Sequence, residues 1–539
     1  MIPITGSTQR IAFAALCAVV VAVAVVRFGY FLHEPPGRDQ GQFSTLADGV
    51  LHGKLMYRDL WENKPPGVVW LYVTAIAIMG RDYVGIHVLQ AVFATLTALS
   101  IALLVLRATG TLKAAAAAAI LYVINAGGIV FGGFWATAQT EVFMDFPIVT
   151  ALVLLLAARD AHDRRASIMA CAAGLCLGWV ILLKYSAIPL AALILVAWRR
   201  NLGLGRWLRI MAVFACGFAL PGLALAISMA ASGTWEDFFH ATVTFNLEYL
   251  HNAENSRGAF LEKVFYAWDI LLPFYIPAAF AVFVSLPRGK GKETHDLGRV
   301  LTAVAGLLWG LSLIEVFWQG KFWIYHYHVV LLPLALLAGV GVARAESWAR
   351  SAGMQSPFIS AAVVAILALL SLPMLNTFRA YDKAHMISAH WLGKATAERM
   401  ESTYIWNWPD YEFAQTKAVA AAIAAETPPG SRLFVWGFES YVYFLSGREP
   451  ASRFLYDHPL MPRYSSVHKY FADQLLDDLH HNPPERVLVM INDRNDIETE
   501  DSLTQLKEWP ALLEYIKANY VFTWRLGDFL CFARRPGAG

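Results

Sequence analysis

The chain has 539 residues, of which 57% are hydrophobic and 16% charged, and its formal net charge is +2. A soluble domain carries about 25% charged residues, so this apolar excess excludes an ordinary soluble protein. A charge so near zero, with no basic tract and no zinc-ligand spacing, gives no footing for nucleic acid as a partner.

In chain order, the apolar blocks predict eleven membrane spans, near 11–32, 83–106, 112–131, 138–158, 167–183, 186–198, 208–230, 263–286, 300–318, 326–343 and 357–375. The length that matters is the ~20 apolar residues needed to cross a hydrocarbon core of ~30 Å. The first block, Ile11 to Leu32, is long for a signal-peptide core and is followed by no clear small-residue cleavage site, so it reads as a retained span. The five cysteines, Cys17, Cys171, Cys176, Cys216 and Cys531, mostly fall within apolar blocks and read as small buried hydrophobes.

Orientation follows from Lys and Arg, which stay on the cytoplasmic side. Arg107 and Lys113 flank one loop, and Arg159, Arg164 and Arg165 mark the next. Arg199, Arg200, Arg206 and Arg209 follow, then Arg288, Lys290, Lys292 and Arg299, then Arg344 and Arg350. Eleven crossings from a cytoplasmic N-terminus put all of these inside, and leave loops 33–82, 132–137, 231–262 and 319–325 outside with everything after about 376. Blocks 167–183 and 186–198 are short, but merging them would make one overlong span and turn the Arg199–Arg209 loop outward. The segment 67–80 (GVVWLYVTAIAIMG) is too short to cross. It is predicted to lie at the outer interface or re-enter the bundle, with Trp61, Trp70 and Tyr72 at headgroup level.

From about residue 380 the composition turns charged and turn-rich, which predicts a small α/β domain over 379–539 behind a membrane module over 1–378. RLFVW (432–436) and RVLVMI (486–491) read as buried strands, and 438–446 and 465–481 have helical spacing. Two more strands are predicted near 519–524 and 528–533, turning at Gly527 and Asp528. No glycine-rich loop follows a strand, so no nucleotide site is expected there. Acceptor recognition or covering of a site is the expected task of this domain. Trp436 and Tyr443 read as its core, and DDLHH (477–481) as the solvated face of a helix.

Ionisable residues inside spans are costly and are functional candidates. Glu141 and Asp145 stand four apart on one helix face, Lys184 lies at a turn, and Asp269, Glu315 and His326 lie toward the outer ends of their spans. Charged residues near span ends also snorkel to water, which is the plainer reading for Asp269 and Glu315. A transporter would hold such groups at mid-depth and show internal repeats, and the sequence has neither feature.

The loop GRDQGQFSTLADGVLHGKLMYRDLWENKPPG (37–67) opens with an acid directly after the first span. It continues as a helix carrying Phe43, Leu46, Val50 and Leu51 and ends in Lys-Pro-Pro. Sugar transfer from a polyprenyl phosphate requires a carboxylate to take the acceptor proton and a cation to hold the departing phosphate. Both must sit at the membrane surface, because the lipid tail stays in the bilayer. Asp39 suits the first role and Lys64 the second, with Arg58 as a helper. The two prolines fix the backbone after Lys64. Read alone, Asp39 also suits a helix cap and Lys64 a headgroup contact, and Tyr325, His326 and Tyr327 suit an interface belt as well as a site.

The stretch HGKLMYRDLWENKPPG (52–67), together with the acid after the first span, resembles the membrane glycosyltransferases of the GT-C class. It is nearest to the protein O-mannosyltransferase and lipid A aminoarabinose transferase superfamily. TEVFMD (140–145) is similar to that superfamily's Thr-Glu motif and GKFWIYHYHVVLLP (320–333) to its aromatic-His motif, while WGFESYVYFLSGREPASRFLY (436–456) is similar to the tail of bacterial members. The resemblance implies a polytopic α-helical membrane protein that transfers a sugar, with inversion, from a polyprenyl-phosphate donor to a hydroxyl of a glycan, lipid or protein acceptor. The home it implies is the bacterial inner membrane, with the tail on the periplasmic side. The family's catalytic acid falls on Asp39 and its phosphate-binding lysine on Lys64. Glu141 is expected to orient the loop or the acceptor, and Tyr325, His326 and Tyr327 to contact substrate. Many members carry Glu after the acid, where this chain has Gln40; the departure points to a different acceptor or a lost metal contact. The donor brings its own activated bond, so no organic cofactor is expected, and a divalent cation stays open. The competing readings are a ligase or polymerase using diphosphate-linked donors and, behind it, a lipid or solute transporter. A receptor or assembly subunit would leave Asp39 and Lys64 without a task.

Overall fold

The computed structural model describes residues 7–30, 32, 34–127, 136–198, 203–251, 279, 297–321, 323–351, 353, 380–401, 411–494 and 499–537. The predicted spans 263–286 and 357–375, and with them Asp269, lie outside the described residues.

The chain opens with α1 (Ser7–Tyr30), α2 (Arg38–Leu51), α3 (Gly67–Met79), α4 (Tyr83–Thr109), α5 (Leu112–Asn125), α6 (Thr140–Ala158) and α7 (Asp163–Leu183). A 3-10 helix at Tyr185–Ala197 and α8 (Leu204–Ser232) follow, and later come helices Leu297–Gln319 and Leu331–Ser351. Among the described residues, 7 helices are long and apolar enough to cross a membrane, namely α1, α4, α6, α7, α8, Leu297–Gln319 and Ile324–Ser351. The protein is polytopic. Three shorter apolar helices are α3, α5 and the 3-10 helix. The shortest of the predicted spans, 186–198, is the 3-10 helix, whose rise of about 2 Å per residue stretches its 13 residues to about 26 Å. An α-helix of that length would reach only about 20 Å. α3 has 13 residues in α-helical winding and is therefore too short to cross.

The fold has two compact units that interleave in sequence. The first comprises Met1–Leu32, Ile86–Leu225 and Glu254–Tyr381; the second comprises His33–Gly85, Ala226–Ala253 and Asp382–Gly539. Two segments that precede the tail by more than a hundred residues thus fold with it.

In the first unit, helices approach through small residues, as expected where lipid offers no hydrophobic drive and contact relies on packing. A Cβ on Gly174 of α7 would lie 2.2 Å from the Phe214 carbonyl oxygen of α8. One on Gly217 of α8 would lie 2.1 Å from the Cys171 carbonyl oxygen of α7. The two backbones are therefore in contact. Gly339 likewise lets its helix close on Ala118 of α5 and Val105 of α4.

In the second unit the tail forms a five-stranded sheet of β1 (Arg432–Trp436), β2 (Glu449–Pro450), β3 (Arg486–Met490), β4 (Tyr520–Leu526) and β5 (Phe529–Arg534), in the order β2-β1-β3-β5-β4. β1 pairs parallel with β2 and β3, and helix Ser465–His481 lies in the crossover between β1 and β3. β5 runs antiparallel to β3 and β4, with the tight turn at Gly527, whose φ is 55°. β1 and β3 read as continuous apolar runs because they are interior to the sheet and buried beyond their first residue. Trp436 and Tyr443 are core residues, the indole donating to the Ser502 carbonyl and the phenol accepting from the Val435 N–H. Trp61 and Tyr72 are core residues of this unit too, not an interface belt. Trp61 is enclosed by Phe245, Phe454, Tyr456 and Phe471, at ring-centroid distances of 5.0, 6.1, 5.9 and 5.7 Å.

The α7–α8 contact predicts a sharp asymmetry between glycines. Gly174→Val should destabilise the detergent-solubilised protein by more than the usual overpacking cost of about 1–3 kcal/mol, because backbone must move. Gly222→Val, where an added Cβ meets nothing within 4 Å, should leave the melting temperature near that of the parent. Thermal unfolding followed by size-exclusion chromatography reads both; equal melting temperatures for the two variants would refute the contact.

Candidate active site

α2 begins after Pro35 and Pro36 with Gly37 as its N-cap, and no side chain caps it. Asp39 therefore stands in the first turn, where the helix dipole favours a negative charge, and is not the cap. Phe43, Leu46 and Ala47, four, seven and eight residues on and so on the same side of α2 as Asp39, are buried, with Phe43 edge-on to Tyr72 of α3 at 5.4 Å. Their burial fixes the rotation of α2 and with it the side on which Asp39 stands.

The loop back from α2 is held tightly. Tyr57 is buried with φ at 72°, a strained setting for a bulky residue, and its N–H donates to the Leu60 carbonyl at 2.7 Å. Its hydroxyl donates to the Lys64 carbonyl at 3.2 Å, while the Lys64 N–H donates to Glu62 Oε1 at 3.0 Å. Asn63 is tied to Asn246, whose amide donates to the Asn63 carbonyl at 2.7 Å. With its backbone held on both sides, Lys64 places its Nζ 3.3 Å from Asp39 Oδ1 and 4.4 Å from the centroid of the Phe43 ring. Both side chains keep partial exposure, 20% for Asp39 and 31% for Lys64, so the pair is open to a ligand. A carboxylate and an ammonium placed side by side supply a proton acceptor and an anion-binding group at one spot.

Arg58 makes its ion pair with its neighbour Asp59 at 3.3 Å and is 46% exposed. Gln40, at the position where the family often has Glu, is buried.

Glu62 went unnoticed in the sequence, where it reads as a spacer between Trp61 and Lys64. It is fully buried, accepts from the Gln42 side chain at 2.6 Å and from the Lys64 N–H, and so braces the lysine from behind. Burial raises its pKa above the ordinary glutamate value, against the lowering effect of the Lys64 charge and N–H, and Asp39 adds to the rise. The one available signal was the acid two residues before the lysine.

The first unit carries its own polar cluster. Glu141 and Asp145 of α6 are both buried, as their i, i+4 spacing on one face requires. Lys184, in extended conformation where α7 ends, bonds Glu141. Glu315 accepts from Ser186 at 3.4 Å and interacts electrostatically with Lys184 and Glu141. Asp145 accepts from Tyr122 at 2.7 Å, and His328 Nδ1 lies 3.5 Å from it. Among the described residues, one oxygen each of Glu141, Asp145 and Glu315 has no hydrogen-bond partner, leaving acceptors directed into the bundle. His326 and Tyr327 are buried in the 3-10 turn Ile324–Val330, and Tyr325 packs edge-on to His326 at 4.6 Å. His328, which the sequence reading passed over, also accepts from the Gly127 N–H at 3.3 Å. In DDLHH, Asp477 and His481 are solvated, whereas Asp478 turns inward to bind Arg453. Among the described residues no group of three or more His, Cys, Asp or Glu side chains is arranged to hold a metal ion.

The brace predicts two outcomes. Glu62→Ala strips the partner from the Lys64 N–H and the Gln42 amide and should cost about 2–6 kcal/mol, at roughly 1–3 kcal/mol per orphaned group. Because the folded-state pKa of Glu62 is raised, its contribution to stability is fully present below the unfolded value of 4.5 and is lost as pH rises through the folded value. The stability of Glu62→Gln relative to the parent should therefore improve as pH rises from 4.5 to the folded value and level off above it. Melting curves across pH check this, and a difference that stays flat or moves the other way would sink it.

No protein-family model matches the sequence, and no curated protein does. Among solved structures, the crystal structure of ArnT from Cupriavidus metallidurans bound to undecaprenyl phosphate is similar over 99% of this chain and 99% of that one, with a TM-score of 0.56 at 16% identity. ArnT from the same organism in the apo state gives 0.55 at 14% identity over 98% of each chain. The archaeal oligosaccharyltransferase AglB from Archaeoglobus fulgidus, in complex with an inhibitory peptide and a dolichol-phosphate, gives 0.48 at 13% identity over 98% of this chain and 75% of that one. At these identities the likeness to ArnT is one of fold, and it runs from end to end. The chain thus has the fold of the GT-C membrane glycosyltransferases, the class its sequence motifs resemble.

Proposed function

We propose that the protein is an inverting glycosyltransferase that moves a sugar from a polyprenyl-phosphate donor to an acceptor hydroxyl. The observation that carries this reading is the Asp39–Lys64 pair at 3.3 Å, partly exposed and held by a strained loop whose backbone is hydrogen-bonded on both sides of Lys64. ArnT, whose fold the chain shares end to end, was crystallised with undecaprenyl phosphate, which supports a lipid monophosphate carrier.

In the proposed reaction the acceptor oxygen attacks the anomeric carbon as the bond from that carbon to the phosphate oxygen breaks. The acceptor proton passes to Asp39, and the electron pair leaves with the polyprenyl phosphate, whose growing charge Lys64 neutralises. Donor phosphate competes with Asp39 for the Lys64 ammonium, so donor binding releases the carboxylate for its role as base. Arg58, exposed and paired with its neighbour Asp59, is proposed as a second phosphate contact. Glu141 is proposed to orient the loop or the acceptor, and Tyr325, His326 and Tyr327 to contact substrate. A divalent cation is not required by this scheme. The bacterial inner membrane is the proposed location, with the tail periplasmic.

Asp39→Asn should lower turnover by roughly 10²–10⁴-fold, the usual worth of a general base, with folding unchanged. Lys64→Met should instead raise the KM for donor and lower kcat together. The assay is release of polyprenyl phosphate by lipid-reconstituted protein offered a panel of polyprenyl-monophosphate sugars. Release only from diphosphate-linked donors would move the assignment to a ligase or polymerase. Full turnover by Asp39→Asn would remove Asp39 as base.

A further inference from the structure

The tail of the second unit reaches the Asp39–Lys64 pair from behind, through both of the backbone segments that carry it. On the Asp39 side, the neighbouring Arg38 donates from Nε to Glu439 Oε1 at 2.9 Å, and both side chains are buried. Thr416 donates to the other Glu439 oxygen at 3.2 Å. The guanidinium is sandwiched between Tyr411 and Phe438, at 5.5 and 6.0 Å from the ring centroids, and the Tyr411 hydroxyl donates to the Pro36 carbonyl at 2.5 Å. Two turns on from Arg38, Thr45 donates to the Ser440 carbonyl at 2.9 Å. A Cβ on Gly41 would lie 2.5 Å from Tyr441 Cβ, so α2 is pressed against the tail with no room to shift. On the Lys64 side, the Trp61 N–H donates to the Arg453 carbonyl at 2.8 Å, and Arg453 is itself clamped by two parallel bonds to Asp478 at 3.0 Å.

Resting on the transfer reading above, we propose that the tail is a positioning element of the active site, in which Glu439, through Arg38, sets the first turn of α2 and with it the direction of the Asp39 carboxylate. Glu439 and Arg38 touch no reacting atom in this scheme; they act on Asp39 through the backbone that the three residues share. The expectation of acceptor recognition by the tail is thereby joined by a role within the catalytic step. The reason for an ion pair here is directional. An Arg–carboxylate contact specifies an angle that an apolar contact does not, whereas its net contribution to stability is small once desolvation is counted.

That distinction supplies the test. Glu439→Gln alone leaves a buried guanidinium without its countercharge and is expected to melt lower, so it cannot separate the roles. The double variant Arg38→Met/Glu439→Leu replaces the pair by apolar groups of similar size, which recovers stability in comparable buried pairs. With the full chain in lipid nanodiscs, the double variant should melt like the parent and yet turn over roughly 10–100-fold more slowly, the cost of misplacing a reacting group by about 1 Å. Its KM for donor should not rise, since Lys64 is kept and a displaced Asp39 competes less with the phosphate, and amide hydrogen exchange over residues 38–46 should quicken. Arg38→Lys/Glu439→Asp, which keeps the charges, should recover part of the turnover. Turnover that returns with the melting temperature, or exchange over 38–46 that matches the parent, would overturn the proposal while Asp39→Asn stayed inactive. Should the parent release undecaprenyl phosphate from no undecaprenyl-monophosphate sugar, the transfer reading fails by itself. The exchange arm then decides on positioning: quickened exchange supports it and unchanged exchange ends it.

Discussion

The second unit depends on the burial of Trp61. Its indole is wedged among rings from two other segments, Phe245 from one and Phe454, Tyr456 and Phe471 from the tail, while the Trp61 backbone N–H is held by the Arg453 carbonyl. Removing such a side chain costs about 3–5 kcal/mol, and here it would also detach the loop from the tail. The residues that follow inherit their places from this wedge. Glu62 is driven inside with Trp61, the Lys64 backbone is drawn to Glu62, and the Lys64 ammonium emerges beside Asp39. An apolar anchor thus sets polar geometry three residues away.

The chain uses buried charge in two ways. In the second unit, charges are matched and their hydrogen bonds close to satisfied: Glu439 has Arg38 and Thr416, and Asp478 has both arms of Arg453. Such pairs confer direction more than stability. In the first unit, Glu141 bonds Lys184, and among the described residues Glu141, Asp145 and Glu315 each keep an oxygen without a hydrogen-bond partner. Open acceptors inside a helical bundle are costly, which sets this cluster apart from the matched pairs of the second unit.

Much of the fold was legible in residue order. The four longer strands of the tail and helix 465–481 were visible as short apolar runs and as an amphipathic repeat, and for β1 and β3 the reason is burial inside the sheet, which leaves a continuous signal. The Asp39 and Lys64 candidates were legible from the loop's chemistry and its family resemblance, and the structure brings them together. Glu62 was not legible, because a single acid in a charged loop looks like solvated surface until its burial is known. Arg38 and Glu439 were beyond reach for another reason. They lie 401 positions apart, and nothing local to either implies the other. Trp61 and Tyr72, read as interface aromatics, are core residues, since composition does not distinguish a ring facing lipid from one facing protein.

By itself the sequence determined the local and the periodic: apolar helices long enough to cross a membrane, the strands of the tail, the face of α2, and the presence of a carboxylate and a cation in one loop. Each of these follows from residues a few positions apart, whose spacing on a helix or strand is set by backbone geometry. Only the tertiary structure decided which segments share a core, joining 33–85 and 226–253 to the tail, and which charges meet. Contacts of that kind are selected by the burial of aromatic and apolar surface across hundreds of residues. The energy that selects them belongs to the assembled core and to no stretch of sequence within it.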